Sequence, residues 1–260
     1  MVSIIPERQL TLAENLALIG TIDALMELTG ESVEVGSDPS SGFIITSEDS
    51  ETKGTLSANL SDQPHPLFGY STDGISLSAT TLSESFGSGN ILIEPSIQKT
   101  GSVDIWADIA KKSNIRTSKP VVLIANGENS ELIKNIAETL GHPDYLKIAD
   151  TLSIHELLAL AHKSSVGITS TPGGLLLGLG AMTPFLHVYS TLSEKQIIDD
   201  MELSSFGFGY QMLDKGQSPA VITAKLKDVL EDEIFLRKEI ERFRVSMRHE
   251  FLGVLGKLLA

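Results

Sequence analysis

Val166-Gly-Ile-Thr-Ser-Thr-Pro-Gly-Gly-Leu-Leu-Leu-Gly-Leu-Gly-Ala-Met-Thr-Pro-Phe-Leu-His-Val-Tyr189 reads as strand, turn, short helix and second strand. The strands, 166–168 and 185–188, are nearly continuous apolar runs, as a sheet covered on both faces requires. A helix over 174–181 then forms the crossover between them, and right-handed connection is the default. The same alternation extends in both directions. Upstream lie strand candidates Ile91-Leu-Ile93, Val121-Val-Leu-Ile124 and Tyr145-Leu-Lys-Ile148; downstream lies a weaker one, Phe208-Gly-Tyr-Gln-Met212. Helical stretches are expected near 103–113, 130–140, 153–163, 193–201 and 219–230. Together these predict an α/β domain with a doubly wound parallel sheet, Rossmann-like in type, over residues 91–260. It closes with a long amphipathic helix, 233–259, whose stripe is Leu236, Ile240, Phe243, Met247, Phe251, Val254 and Leu258.

Residues 1–90 differ in kind and are expected to form a small N-terminal α+β segment, a partial domain. Thr11-Leu-Ala-Glu14 is a capping box, and Leu12, Leu16, Ile19, Ile22, Leu25, Met26 and Leu28 follow at helical spacing, so a helix is expected over 12–29. Val33–Val35 and Phe43–Ile45 are short strand candidates, 46–66 reads as a polar loop, and Phe68–Tyr70 and Ile75–Leu77 are edge strands at best. Of the chain's net charge of −14, most lies here: residues 1–100 hold 3 basic and 14 acidic side chains. An acidic protein of this kind repels nucleic-acid phosphates and anionic lipid surfaces. The 41% hydrophobic content over 260 residues is ample for a folded core, and the mean hydropathy is +0.09. Having no cysteine, the chain has neither disulfides nor thiolate chemistry. No run approaches the roughly 18 apolar residues of a membrane span, and the N-terminal stretch lacks a basic, apolar leader, which predicts a soluble cytoplasmic protein.

In an open α/β sheet, ligands bind beyond the carboxyl ends of the strands. Three connections there hold the candidate donor-binding residues: Ser96 with Lys99 after the first strand, Asn126 and Glu128 after the second, and Ser170, Thr171, Gly173 and Gly174 after the fourth. The last connection offers hydroxyls and then glycines at a helix start, which suits an anion or equally a compact strand-to-helix junction. Lys99 is the cation best placed to act in catalysis. His187 and Tyr189 share a face near the end of their strand; Tyr189 is a further donor-binding candidate and His187 a catalytic one, with a satisfied core histidine as the alternative. The six histidines show no metal-ligand spacing, and neither a metal nor another cofactor is implied.

The order of these pieces resembles the polysaccharide pyruvyl transferase family and, more broadly, the C-terminal half of GT-B-fold sugar-modifying enzymes. Carrying the likeness are Glu94-Pro-Ser96, Pro120-Val-Val-Leu-Ile-Ala125, the stretch Ser153 to Ser170, the glycine turn, Thr183-Pro-Phe-Leu-His-Val-Tyr189 and the terminal helix. Gly20–Gly30 followed by Val33–Pro39 is similar to the family's segment before its domain junction. The resemblance implies a transferase in cell-surface polysaccharide biosynthesis, with an anionic donor of nucleotide-sugar or phosphoenolpyruvate type and a saccharide acceptor. Where the family carries an Arg-x-His-Gly type motif, however, this chain has Ser170-Thr-Pro-Gly-Gly174. That difference keeps a second reading open: a non-catalytic binding or assembly subunit that completes its cleft with a protein partner.

Overall fold

The computed structural model describes residues 11–29, 34–38, 42–47, 50–56, 66–69, 85–96, 102–125, 129–209, 211 and 218–259. Six strands build the main sheet: β4 (Ile91–Glu94), β5 (Val121–Ile124), β6 (Leu146–Ala149), β7 (Val166–Thr169), β8 (Phe185–Tyr189) and β9 (Gly207–Gly209). All five pairings are parallel, in the order β6-β5-β4-β7-β8-β9. The chain starts in the middle at β4, builds outward to β6, then returns to build the other half from β7. This is the doubly wound Rossmann order, with its switch point between β4 and β7. Strands β4, β5 and β7 are buried along their whole length, as their apolar runs require.

The crossover helices are α2 (Ser102–Thr117), α3 (Ser130–Leu140), α4 (Ile154–Lys163), α5 (Pro172–Gly180) and α6 (Leu192–Asp200), and α7 (Ser218–Glu231) follows the last strand. Helices α3, α4 and α6 match the expected spans to within a residue. In contrast α5 begins two residues earlier than expected, because Thr171 caps it and Pro172 takes its first turn, where a missing N–H costs nothing. Helix α2 runs four residues past the expected end. Strand β9 is shorter than the 208–212 run suggested, and residues 210 and 212 lie outside the described residues.

The N-terminal helix α1 (Leu12–Thr29) packs on α5, and its Leu12 and Leu16 belong to the same core as the sheet. Strands β1 (Glu34–Asp38), β2 (Gly42–Ser47) and β3 (Ser50–Leu56) form a separate antiparallel sheet in that order. Strand β3 corrects the expectation of a polar loop over 46–66. Its backbone pairs with β2 through Phe43↔Leu56, Ile44↔Thr55 and Ile45↔Gly54, and backbone pairing is blind to the polar composition that suggested a loop. A second correction concerns Phe68, which sits in a 3₁₀ turn, Pro66–Gly69, and not in an edge strand. Leu67 and Phe68 are fully buried there, and Phe68 stands edge-on to Phe243 with ring centroids 5.8 Å apart. Ile75–Leu77 lie outside the described residues.

The terminal helix α8 (Glu233–Leu259) buries Leu236, Ile240, Phe251 and Leu255. Its arginines fasten it to the domain. Arg237 donates to the carbonyls of Met182 at 3.0 Å, His162 at 3.3 Å and Ser164, so one guanidinium caps chain ends after both α4 and α5. Arg248 pairs with Glu27 of α1. A lysine cannot span three carbonyls with a rigid fork. Arg237→Lys should therefore lower stability by about 1–2 kcal/mol in urea unfolding; an unchanged midpoint would show the fork to be dispensable. Among the described residues, no helix is long and apolar enough to cross a membrane.

Candidate functional site

Parallel register sets one row of side chains at the carboxyl edge of the sheet: Glu94 pairs with Thr169, and Thr169 with His187. Each ends or nearly ends its strand. Because laterally paired residues of a parallel sheet share a face, the row brings a carboxylate, a hydroxyl and an imidazole together at and beside the switch point.

Glu94 is fully buried. Its Oε2 accepts from the Ser170 backbone N–H at 3.3 Å, and its Oε1 accepts from the Thr171 hydroxyl at 2.8 Å. The Ser170 hydroxyl in turn donates to the Glu94 carbonyl at 3.0 Å, and Thr171 Oγ1 accepts from the Gly174 N–H at 3.1 Å, closing the α5 cap. Asn129 pins the chain leaving β4 by donating to the Pro95 carbonyl at 2.9 Å. A carboxylate thus sits at the start of α5, where the helix dipole and free N–H groups favour negative charge.

The two glycines are needed for close approach. A Cβ on Gly174 would lie 2.5 Å from Glu94 Oε2 and 2.9 Å from Thr169 Cβ; one on Gly173 would lie 2.8 Å from Leu12 Cβ of α1. Of the two possibilities the sequence left open for this turn, the structure displays the compact junction. Gly173 and Gly174 are both buried, with Leu12 and Glu94 the side chains nearest to them.

Beside this cluster, the Thr169 hydroxyl and His187 Nδ1 are 2.8 Å apart, and His187 Nε2 lies 3.3 Å from Glu194 Oε1. A carboxylate only accepts, so Nε2 carries the hydrogen and donates. The other oxygen of Glu194 accepts from the N–H groups of Ser190 at 2.9 Å and Thr191 at 2.7 Å and from both their hydroxyls, completing the capping box of α6. Burial pulls the Glu194 pKa upward, but the His187 hydrogen bond and charge, with the Ser190 and Thr191 bonds, outweigh it and hold the carboxyl at about 2.

His187 and Glu194 are both 0% exposed, which decides what they can do. The ring of His187 is closed to solvent with both nitrogens engaged. In this arrangement it is bonded to Thr169 on one side and to Glu194 on the other, as a satisfied core histidine would be. Tyr189, half-buried, stands over Gly207 and Gly209 of β9, apart from the α5 turn. Ser96 is buried just beyond β4, beside the Glu94 cluster in sequence and near it in the fold. Lys99, Asn126 and Glu128 lie outside the described residues. Among the described residues, no group of three or more His, Asp or Glu is arranged to hold a metal ion.

Two residues of this network were not singled out from the sequence, Glu94 and Glu194, whereas Thr169 stands out there as the first of the hydroxyls before the glycines. For Glu194 the signal was present as Thr191-Leu-Ser-Glu194, the capping-box spacing. For Glu94 it was an acid closing the apolar run Ile91-Leu-Ile93.

No protein family and no curated protein matches the sequence. Solved structures that resemble the fold include proteins named as sugar transferases. A mutant O-GlcNAc transferase of Thermobaculum terrenum is 17% identical at a TM-score of 0.48, over 66% of this chain and 34% of that one. ADP-heptose lps heptosyltransferase II of E. coli is 17% identical at 0.48, over 63% of this chain and 53% of that one. An alpha,alpha-trehalose-phosphate synthase (UDP-forming) of Burkholderia xenovorans is 11% identical at 0.45, over 90% and 58%. The chain spans between about a third and a little over half of the length of these proteins.

Proposed function

We propose that this chain acts in glycosyl transfer as the Rossmann half of a two-domain transferase whose cleft is completed by a second nucleotide-fold domain. The observation that carries the reading is the reversal of strand order between β4 and β7. Both strands end there in polar residues, Glu94 with Ser96 on one side and Thr169, Ser170 and Thr171 on the other, and a switch-point crevice is where such sheets take ligands. An activated sugar lies across this edge. Its hydroxyls face the connections that hold Ser96, Ser170 and Thr171, of which Thr171 is the partly exposed one, and its charged group faces the connections that hold Lys99, Asn126 and Glu128. Lys99 offsets the charge that develops on the leaving group. Thr169 and His187 act as positioning residues. The finer assignment, pyruvyl transfer from a phosphoenolpyruvate-type donor in cell-surface polysaccharide synthesis, belongs to the same reading.

A thermal-shift panel of UDP-, ADP- and GDP-sugars, free nucleotides and phosphoenolpyruvate tests it. A ligand at about 100 times its dissociation constant adds roughly 2.7 kcal/mol, a rise of about 5–10 °C for a chain of this size. A saturable rise with one donor class is expected, and which class responds separates glycosyl from pyruvyl transfer. No rise with any donor would contradict donor binding.

One observation favours the second reading, a binding or assembly subunit. The Glu94 carboxylate already occupies the α5 N-terminus. Under this reading the fold is retained and the carboxyl edge meets a protein partner. A monodisperse monomer that transfers sugar or pyruvyl groups unaided would exclude it.

A further inference from the structure

The N-terminus of α5 opens at the switch point, where a Rossmann sheet most readily takes a phosphate. Here three of the groups a phosphate would use are engaged from within the chain. The Ser170 N–H and the Thr171 hydroxyl bond the two oxygens of Glu94, and the Gly174 N–H bonds Thr171. The carboxylate also explains the glycine. With a Cβ at position 174 only 2.5 Å from Glu94 Oε2, glycine is needed to admit the internal acid, whether or not a ligand comes. Leu12 of α1 covers the neighbouring Gly173, and Glu94 is 0% exposed, so solvent does not reach the carboxylate. Glu194 repeats the device one helix later, taking the N–H groups of Ser190 and Thr191 at the start of α6.

We propose that the Glu94 carboxylate is a built-in occupant of the anion position at α5, which shuts this turn to phosphate and makes Glu94 a specificity-determining residue of the carboxyl edge. What a ligand presents to α5 is then uncharged, a saccharide hydroxyl and not a phosphate oxygen. Only this last step rests on the glycosyl-transfer reading; the occupancy of α5 by Glu94 does not.

The experiment removes the internal anion and offers an external one. Trp106, the single tryptophan and fully buried, reports unfolding of the whole protein. Glu94→Ala is titrated with sodium formate against sodium chloride at equal ionic strength, and the unaltered protein with formate and with inorganic phosphate. Formate is expected to raise the unfolding midpoint of Glu94→Ala saturably, by roughly 3–5 °C at about ten times its dissociation constant. The unaltered protein is expected to respond to formate and phosphate no more than to chloride. Equal response of Glu94→Ala to formate and chloride overturns the proposal, as does specific stabilisation of the unaltered protein by phosphate. Should Glu94→Ala fail to fold, Glu94→Gln keeps the side-chain volume: stability below that of the unaltered protein, with no response to formate or phosphate, supports the proposal, and stabilisation by phosphate overturns it. A donor panel without a hit would count against the transferase reading while leaving these outcomes unchanged.

Discussion

Gly174→Ala should cost about 3 kcal/mol or more, and Gly174→Asp should leave no folded protein to assay. The added Cβ meets two atoms of the sheet edge, Glu94 Oε2 at 2.5 Å and Thr169 Cβ at 2.9 Å, and neither belongs to a freely moving side chain. Glu94 is held by Ser170 and Thr171, and Thr169 is bonded to His187. Overpacking of a well-fitted core costs roughly 1–3 kcal/mol, and displacing a bonded carboxylate adds to that. Aspartate would further set two carboxylates side by side in a buried space. For a domain of this size the alanine variant should melt about 6–12 °C lower. Gly253→Ala in α8 is the control: its Cβ meets nothing within 4 Å, and exchanging an exposed helical glycine for alanine gains about 1 kcal/mol. Equal and small effects at both positions would show that Glu94 yields easily and that the α5 junction is not packed as described.

Glu194→Gln should be the second most damaging change, at about 3 kcal/mol near neutral pH. It removes the charge that faces His187 in a space with 0% exposure and weakens the capping box of α6 at the same time. Breaking one side of a buried pair leaves the other side unsupported, at roughly 3–5 kcal/mol. The pH dependence follows from the same bonds. A carboxyl held at about 2 in the folded chain, against an ordinary value of 4.5, is more acidic folded than unfolded. Its contribution to stability is therefore complete above pH 4.5 and is lost as pH falls toward 2, a change of about 3 kcal/mol across that window. Urea midpoints followed by Trp106 fluorescence between pH 7 and pH 2.5 should fall more steeply for the unaltered protein than for Glu194→Gln. Parallel curves would mean that Glu194 is not held by His187 and the Thr191 cap.

What was legible from the sequence follows from what each signal encodes. Apolar strands buried on both faces have few alternatives, so β4, β5, β7 and β8 were readable to within a residue. Helices with clear periodicity and punctuation followed, as at Ser130–Leu140 with Gly141 beyond it in the left-handed conformation. Strand β3 was not readable, because a hairpin of Ser, Glu, Thr, Lys and Gly is defined by its backbone partners. The candidate site shows the same division. Ser170, Thr171, Gly173 and Gly174 were singled out because hydroxyls and glycines at a helix start have a local meaning. The partner that gives them their place, Glu94, is 76–80 residues away along the chain, and only the pairing of β4 with β7 brings it there. His187 was noticed for its position in β8, yet its role depends on Thr169 and Glu194, which pairing and a capping box deliver.

The most direct measurement of the central claim, that the β4–β7 switch point is the donor edge while α5 is already filled, is hydrogen exchange read by peptide. The protein is compared alone and with the donor that gives the largest thermal shift, or with UDP-glucose at high concentration if none does. Slower exchange over residues 94–101 and 125–129, with amides 174–176 unchanged because Thr171 already caps that helix start, is the expected result. No protection anywhere along the carboxyl edge, or protection confined to the opposite edge around residues 118–120 and 141–145, would contradict it.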